Sequence, residues 1–180
     1  MQEKSNLAGF ERAVLPHLPA AYNLARWLTR NAHDAEDLVQ EAYLRAFRFF
    51  GGFRGGNSRA WLLKIVRNVY YTWAQQSSFE RLATVAGEEI EEIESQALNP
   101  EARLLHHIDR QRLRQALEQL PLEYREVIVL RELEELSYKE IAEIAGIPLG
   151  TVMSRLARAR KRLQQCLMTG ESREYPHEVR

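Results

Sequence analysis

The stretch from Leu136 to Leu163 constrains the fold most strongly, because it carries the signals for two short helices joined by a tight turn. Ser137 and Glu140 have the spacing of a capping box, which predicts that a helix begins just after Ser137. Gly146 can adopt the positive φ that ends a helix, and Pro148 suits the first turn of the next one. This order of signals predicts a helix-turn-helix.

The second helix of this motif is strongly basic. Between Ile144 and Gly170 there is no Asp or Glu, while five cations follow one another closely: Arg155, Arg158, Arg160, Lys161 and Arg162. Apolar residues recur at helical spacing and would hold the helix against its domain: Val152, Leu156, Ala159 and Leu163. The outer face would then carry Met153, Ser154, Arg155, Ala157 and Arg158, with Lys161 beyond them. Phosphate oxygens favour such a surface, so we predict binding in the major groove of DNA. The alternative is a helical hairpin whose cations are merely solvated, but solvated faces usually mix both signs.

The net charge of the chain is zero, with 25 Lys and Arg against 25 Asp and Glu over 180 residues. That balance conceals a segregation, because residues 1–78 are net basic and Phe79 to Pro100 is acidic. The single cysteine, Cys166, excludes an intramolecular disulfide and a cysteine-rich zinc site. The sequence contains neither an apolar run long enough to span a bilayer nor a signal-peptide pattern. We therefore predict a cytoplasmic protein.

Gly and Pro residues separate long segments with helical periodicity, which predicts an all-α fold. Helices are expected near Asn6–Leu15, Pro19–Thr29, Ala32–Phe49, Ser58–Gln76, Glu101–Gln119, Leu122–Glu132, Tyr138–Ala145 and Leu149–Met168. We divide the chain into a first helical bundle, a flexible acidic linker, a second bundle with the helix-turn-helix, and a tail, at residues 1–78, 79–100, 101–170 and 171–180. The linker is either a simple tether or a mimic of nucleic-acid charge.

An acidic patch lies on the third predicted helix. Asp37, Gln40 and Glu41 are spaced three and four residues apart, so they form one contiguous surface that could receive a basic partner helix. A solvated acidic face is the alternative. A metal-dependent enzyme could also use this region, through His33, Asp34, Glu36, Asp37 and Glu41. However, the sequence lacks the Glu-x-x-His pairs on two helices that a di-iron bundle requires, and we expect no metal, cofactor or catalytic residue.

The glycine-rich loop from Gly51 to Asn57 suits unpaired bases, because it combines an aromatic ring, a cation and an amide: Phe53, Arg54 and Asn57. The helix that follows adds Arg67, Asn68 and Tyr71. A Walker pattern is absent, which argues against nucleotide hydrolysis. We expect Trp61 to belong to the core.

Taken in order, these motifs resemble bacterial sigma factors of the extracytoplasmic-function type. The resemblance rests on Asp34 to Ala42, Phe53-Arg54-Gly55, Trp61-Leu62 with Ile65 and Arg67-Asn68, Leu120-Pro121 with Tyr124-Arg125, and Ile147 to Leu163. It implies a non-enzymatic protein that binds core RNA polymerase, directs it to promoter DNA and helps to open the duplex, with no small-molecule substrate. It also implies regulation by an anti-sigma factor, which is often membrane-bound in this family.

The resemblance assigns roles to residues. Asp37, Leu38, Gln40 and Glu41 would contact the polymerase clamp. Flipped bases of the downstream promoter element would meet Phe53, Arg54, Asn57, Arg67, Asn68 and Tyr71. The upstream element would meet Met153, Ser154, Arg155, Ala157, Arg158 and Lys161. The chain departs from the family after Asn68, with Thr72, Trp73, Gln75 and Gln76, and at Met153, where many relatives carry a cation.

A stand-alone helix-turn-helix repressor or activator is the chief alternative function. Such a protein would bind its duplex tightly without polymerase. A sigma factor would bind duplex promoter poorly alone and strongly as part of the holoenzyme.

Overall fold

The computed structural model describes residues 2–77 and 100–171, and all regular structure within these ranges is helical. The predicted all-α fold is therefore confirmed. The eight α-helices are α1 Gln2–Val14, α2 Leu18–Thr29, α3 Ala32–Phe49, α4 Ser58–Ser77, α5 Pro100–Glu118, α6 Leu122–Ile128, α7 Tyr138–Ala145 and α8 Leu149–Glu171. Short 3-10 turns at Leu15–His17 and Phe50–Gly52 precede α2 and follow α3. The proposed linker, up to Asn99, and the tail beyond Glu171 lie outside the described residues.

The signals of the helix-turn-helix act as the sequence predicts. The Ser137 hydroxyl accepts a hydrogen bond from the Glu140 amide, and the Glu140 carboxylate accepts one from the Ser137 amide at 2.8 Å, which completes the capping box of α7. Gly146 ends α7 with a φ of 65°. Similarly, the Asn31 side chain caps α3 by accepting from the Asp34 amide at 2.9 Å.

One predicted helix changes character before its end. The segment expected as Leu122–Glu132 is α-helical only to Ile128, and Val129–Leu133 continues as a π-helix. The Glu134 amide donates to the Val129 carbonyl at 3.0 Å, five residues earlier. Such wide turns are frequent at functional sites, and this one ends at a buried acid, Glu134.

The N-terminal bundle consists of α1 to α4. Its interior contains fully buried aliphatic side chains from three helices: Leu24, Leu38, Leu62, Leu63 and Val66. The ring of Phe10 on α1 meets Tyr43, Phe47 and Phe50 edge-on, with centroid distances of 6.3, 5.3 and 5.4 Å. These edge-to-face contacts attach α1 to α3 and to the turn that follows it.

The C-terminal bundle consists of α5 to α8. Val152, Leu156 and Ala159 of α8 are buried and Leu163 is partly buried, as their spacing predicts. They pack with Val127, Leu130 and Ile141 of the preceding helices in the same core. The apolar face of α8 is therefore buried in the bundle, and the opposite face of the helix is exposed.

The two bundles pack directly against each other, which the sequence did not predict. Helix α4 lies against α7, α2 lies against α6 and the π-helix, and one continuous apolar core includes residues of both bundles. We call this contact the seam. It contains two buried carboxylates, Glu126 and Glu134, which are 1% and 3% exposed.

Candidate nucleic-acid interface

The outer face of α8 presents most of the residues predicted to read the upstream element. Met153 is 52% exposed, and Ser154, Ala157, Arg158 and Lys161 are also exposed. Arg155 is different, because its guanidinium forms an ion pair of 3.2 Å with Glu123 of α6 and is mostly covered. The face is thus a shallow surface of small, apolar and cationic side chains, compatible with insertion into a groove.

Two further cations of α8 contact side chains within the C-terminal bundle. Arg160 forms an ion pair of 2.6 Å with Glu132, and its hydrogen bonds to Glu132 and Tyr138 raise the pKa of Arg160. The Arg162 guanidinium lies 5.2 Å from the centre of the Tyr124 ring. These contacts fix the orientation of α8 relative to α6 and α7.

The glycine-rich loop places its aromatic residue in a cluster instead of in open solvent. Phe53 stacks on Phe50 at 5.9 Å and meets Trp61 at 4.9 Å, so it is half-buried. Trp61 itself packs partly buried against the core, as expected. Gly55 and Gly56 have φ values of 87° and 99°, a conformation that favours glycine, and they lead the chain into α4.

Asn57 has two roles at the end of this loop. Its side-chain oxygen, Oδ1, accepts from the Ala60 amide at 3.0 Å, which caps α4. Its amide group donates to the Glu140 carboxylate of α7. The Ser137 hydrogen bonds, assisted by Asn57 and Arg59, lower the pKa of Glu140. The charged form of this carboxylate is therefore favoured where it faces the N-terminal bundle.

Arg67 and Tyr71 lie one turn apart on α4 and share one acceptor. Arg67 forms an ion pair with Glu126 of α6, and the Tyr71 hydroxyl donates to the same carboxylate at 3.2 Å. The Arg67 guanidinium lies 4.3 Å from the centre of the Tyr71 ring. Burial and the Glu126 charge raise the pKa of Tyr71 to about 12, so its hydroxyl remains a donor at neutral pH.

The predicted downstream set is therefore divided by the structure. Arg54 and Asn68 are exposed, Phe53 belongs to the aromatic cluster, and Asn57, Arg67 and Tyr71 face the C-terminal bundle. The structure brings together only Asn57, Arg67 and Tyr71, on the side of α4 and its preceding loop that faces the C-terminal bundle. It does not leave the whole set on the surface.

The sequence reasoning missed the carboxylates of the C-terminal bundle at this contact. Glu126 and Glu140 cover members of the downstream set, whereas Glu134 contacts residues beside it. Glu134 forms an ion pair with Arg59 and accepts from the Asn23 amide at 2.6 Å, while Arg59 also donates to the Glu134 carbonyl at 2.7 Å. One signal was available, since Glu126 lies directly before the apolar run Val127–Leu130. An acid beside an apolar run in a helix is a candidate for burial, and buried acids need partners.

His17 lies beside this group of contacts. Its Nε2 is 3.0 Å from the Ser58 hydroxyl at the start of α4. Burial, together with the nearby Arg59 charge, lowers the pKa of His17. The neutral imidazole is therefore favoured next to the Arg59–Glu134 pair.

The acidic patch of α3 is on the surface, but Leu38, which was predicted to belong to the same contact surface, is not. Asp37 and Gln40 are exposed, and Glu41 is half-exposed with an ion pair of 2.7 Å to Arg45. Leu38 is fully buried in the N-terminal core. Its side chain lies on the inward face of α3, so Leu38 is not part of the exposed surface predicted to contact the polymerase and instead supports the patch from beneath.

The described residues contain no group of three or more His, Cys, Asp or Glu side chains placed to hold a metal ion. His33 and Asp37, two members of the metal alternative, form only an exposed pair at 3.9 Å. No helix in the described ranges is long and apolar enough to cross a membrane.

Two family descriptions match the chain. Sigma-70 region 2 matches residues 13–79, which contain the acidic patch, the glycine-rich loop and α4. Sigma-70, region 4 matches residues 110–163, which contain the seam acids and the helix-turn-helix.

Curated proteins similar to this chain are named as RNA polymerase sigma factors. The chain is 31% identical over 172 residues to the RNA polymerase sigma-H factor of Pseudomonas aeruginosa, covering 92% of this chain and 89% of that one. It is 38% identical over 135 residues to the ECF RNA polymerase sigma-E factor of Escherichia coli, covering 71% of each. It is 34% identical to the ECF RNA polymerase sigma factor SigE of Mycolicibacterium smegmatis, covering 92% of this chain but only 64% of that longer relative.

Two solved structures share the fold. The sigma factor RpoE, in complex with the anti-sigma factor NepR from Bartonella quintana, has a TM-score of 0.73 and 31% identity, covering 89% of this chain and 97% of that one. CnrH, in complex with the cytosolic domain of CnrY, has a TM-score of 0.65 and 25% identity, covering 93% of this chain and 92% of that one.

Proposed function

Because the chain belongs to the extracytoplasmic-function sigma factors of the sigma-70 family, we propose that it binds core RNA polymerase and directs promoter-specific transcription initiation. In this role it supplies recognition and not catalysis. RNA synthesis is the reaction of the polymerase, so the chain needs no catalytic residue, cofactor or small-molecule substrate of its own. It acts in the cytoplasm, where the chromosome is.

Each proposed domain has a separate task. Residues 1–78 bind the polymerase and the downstream element, residues 79–100 connect the domains, and residues 101–170 bind the upstream element. The acidic patch on α3 supports the first task, because Asp37 and Gln40 are exposed and Leu38 fixes the helix beneath them. A patch of this charge fits a basic helical surface on the polymerase.

Promoter recognition then uses two kinds of contact. The exposed face of α8, from Met153 to Lys161, enters the major groove of the upstream element. The exposed methionine offers an apolar contact of the kind that a thymine methyl accepts. The loop and α4 residues bind unstacked bases of the downstream element, with Arg54 and Asn68 on the surface.

An anti-sigma factor is the proposed inhibitor. In the two similar solved structures a second protein is bound, since RpoE is in complex with the anti-sigma factor NepR and CnrH is in complex with the cytosolic domain of CnrY. This partner can hold the chain at the membrane in the inactive state.

The observation that carries the proposal is the helix-turn-helix itself, with its apolar side buried and its cationic outer face exposed on a chain that also matches region 2. The test is run-off transcription with purified bacterial core polymerase on fragmented genomic templates. The expected result is a limited set of transcripts that appear only when the chain is added. Failure to bind core polymerase, or binding without any transcript, would overturn the proposal. Tight duplex binding without polymerase would favour the stand-alone regulator.

A further inference from the structure

Two arginines at the seam are buried while part of each guanidinium group has no hydrogen-bond partner. Arg26 of α2 is 7% exposed and Arg125 of α6 is 6% exposed. Both terminal nitrogens of Arg26 lack a partner among the described residues, and so do Nε and Nη1 of Arg125. A guanidinium stays charged in proteins, so burying it without an acceptor is costly. The contacts of the described residues do not offset this cost.

Helix geometry directs Arg26 toward the C-terminal bundle. Asn23, Arg26 and Arg30 are spaced three and four residues apart, so they lie on one face of α2 and its C-terminal end. From this face Asn23 donates to Glu134 at 2.6 Å, and α2 packs against α6, which carries Arg125. The two buried arginines therefore lie on adjoining helices, on opposite sides of the seam.

Arg30 and Tyr70 of α4 belong to the same group. Burial is the main cause that lowers the pKa of Arg125, and the Arg30 charge lowers it further. Burial raises the pKa of Tyr70, while the charges of Arg125 and Arg30 oppose that change. Charges shift a pKa mainly at short range, so these three side chains lie near one another. Arg30 is the exposed member and ends α2 with a φ of 60°.

The buried carboxylates of the seam are already engaged with other donors. The two oxygens of Glu126 accept from Arg67 and Tyr71. The two oxygens of Glu134 accept from two other side chains of the N-terminal bundle. The arginine group is therefore left with an excess of donors and positive charge, which an anion from solution can satisfy.

We propose that Arg26, Arg30, Tyr70 and Arg125 form a binding site for a phosphate-type oxyanion where α2, α4 and α6 meet. A phosphate group presents several acceptor oxygens, and the planar guanidinium matches them in pairs. The two buried arginines bind the anion from opposite sides of the seam, Arg30 binds it from the solvent side, and the Tyr70 hydroxyl donates to it. Because two of the arginines are enclosed, the ligand is a small anion or the phosphate end of a small molecule and not a nucleic-acid backbone.

An anion held in this way contacts both bundles at once. It binds the folded chain and not the unfolded one, so it raises stability by mass action. Binding requires neither polymerase nor promoter, and the test below is therefore independent of the proposed function. A chain that binds the anion but never starts transcription would contradict only the proposed function.

The first test is isothermal titration calorimetry of the full-length protein with sodium phosphate and with sodium pyrophosphate, at an ionic strength held constant with chloride. The expected result is saturable binding of one anion per chain. Arg26→Met should weaken this binding about tenfold, because a charge-assisted pair of hydrogen bonds is lost while the apolar stem is kept. Tighter binding of pyrophosphate assigns a diphosphate group to the natural ligand, and otherwise a single phosphate group is assigned.

The matched control is Arg48→Met, which removes the same charge from an exposed position on α3. The start of α3 adjoins Arg30, and Arg48 lies about 24 Å farther along that helix. This variant should bind both anions as the wild type does. An equal loss of affinity in Arg48→Met would show that the anions respond to net charge and would overturn the proposal.

The second test compares Tm values in chloride and in phosphate. In chloride, Arg26→Met should raise Tm by about 3 °C, because an uncompensated buried charge is removed. In phosphate at about ten times its Kd, the Tm of the wild type should rise by about 3–5 °C more than that of Arg26→Met. The control variant Arg48→Met corrects for the general stabilisation that phosphate gives to folded proteins.

Arg125→Met repeats both tests from the C-terminal bundle and covers a failure of Arg26→Met to fold. It should show the same loss of anion affinity and the same gain of Tm in chloride. No saturable binding of either anion to the wild type would overturn the proposal. Wild-type affinity in both methionine variants would also overturn it, as would a lower Tm of both variants in chloride, since the guanidinium groups would then already be compensated.

Discussion

Arg67 of α4 and Glu126 of α6 form an ion pair across the seam, and the Glu126 side chain has no exposed area. A charge enclosed in this way is stable only when it is paired and hydrogen-bonded. Arg67 satisfies one oxygen of the carboxylate and Tyr71 the other. The buried Glu126 carboxylate therefore couples the two bundles, and its loss should destabilise both.

Glu126→Gln should lower the free energy of unfolding by about 3 kcal/mol, because Arg67 would remain largely covered without its counter-charge. Urea denaturation monitored by circular dichroism measures the change. Glu132→Gln removes a pair in which both side chains are 49% exposed and should cost less than about 1 kcal/mol. Equal costs for the two variants would show that the Arg67–Glu126 pair contributes no more than a surface contact.

Gly146→Ala should destabilise the protein by about 1 kcal/mol, because the residue has a φ of 65° and a side chain there is strained even though the space is open. Gly150→Ala is the matched control, since it lies in α8 with nothing within 4 Å of an added methyl group and shows no positive φ. That change should be neutral or should stabilise by up to about 1 kcal/mol. A neutral Gly146→Ala would contradict the left-handed end of α7.

The pH dependence of the α7 cap follows from Glu140, whose pKa lies below the ordinary value of 4.5 mainly because of Ser137. A carboxyl with a lowered pKa adds stability that is present above its unfolded-state pKa and is lost as the pH falls through the folded-state value. Ser137→Ala keeps the backbone amide, which is the larger cause, and removes the hydroxyl, so it should raise the pKa of Glu140 only part of the way toward 4.5 and cost about 1 kcal/mol of stability near neutral pH. NMR titration of the Glu140 side chain checks the first effect. A pKa of Glu140 that does not move would contradict the capping box.

The helix-turn-helix was predictable because its determinants are local. The cap at Ser137, the turn at Gly146 and the apolar spacing of α8 each act within a few residues of sequence. The seam was not predictable from such signals, because Arg67 and Glu126 are 59 residues apart and nothing in either neighbourhood specifies the other. The same reason explains Leu38, whose place in an acidic motif gave no sign that its side chain points inward. The π-helix also depends on packing, since Leu122–Glu132 reads as one regular helix.

The imidazole of His17 should titrate below 6.5, because burial and the Arg59 charge both disfavour its protonated form. For a base with a lowered pKa, stability is complete above 6.5 and declines as the pH falls from there toward the folded-state value. NMR of the labelled imidazole gives the pKa. Arg59→Gln should raise the His17 pKa without restoring it fully, since burial is the larger cause. His17→Gln should remove this part of the decline in stability below pH 6.5, and an unchanged decline would assign it to other groups.

Arg158 and Lys161 lie one turn apart on the exposed face of α8, and substitution should separate their proposed roles. In the holoenzyme, Arg158→Ala should weaken binding to the preferred upstream element by about 1–3 kcal/mol and relax the preference for one base pair, because a base contact carries sequence information. Lys161→Ala should weaken binding to all sequences alike and reduce the slope of log affinity against log salt by about 1, because a phosphate contact releases one counterion.

Gln164→Ala, exposed on the same helix beyond this face, serves as the control and should change neither quantity. Fluorescence anisotropy with matched and single-substituted upstream elements over a range of salt concentrations measures both effects. If Arg158→Ala lowers affinity for every sequence equally, the side chain contacts phosphate, and the assignment of this face of α8 to the base edges is wrong at that position.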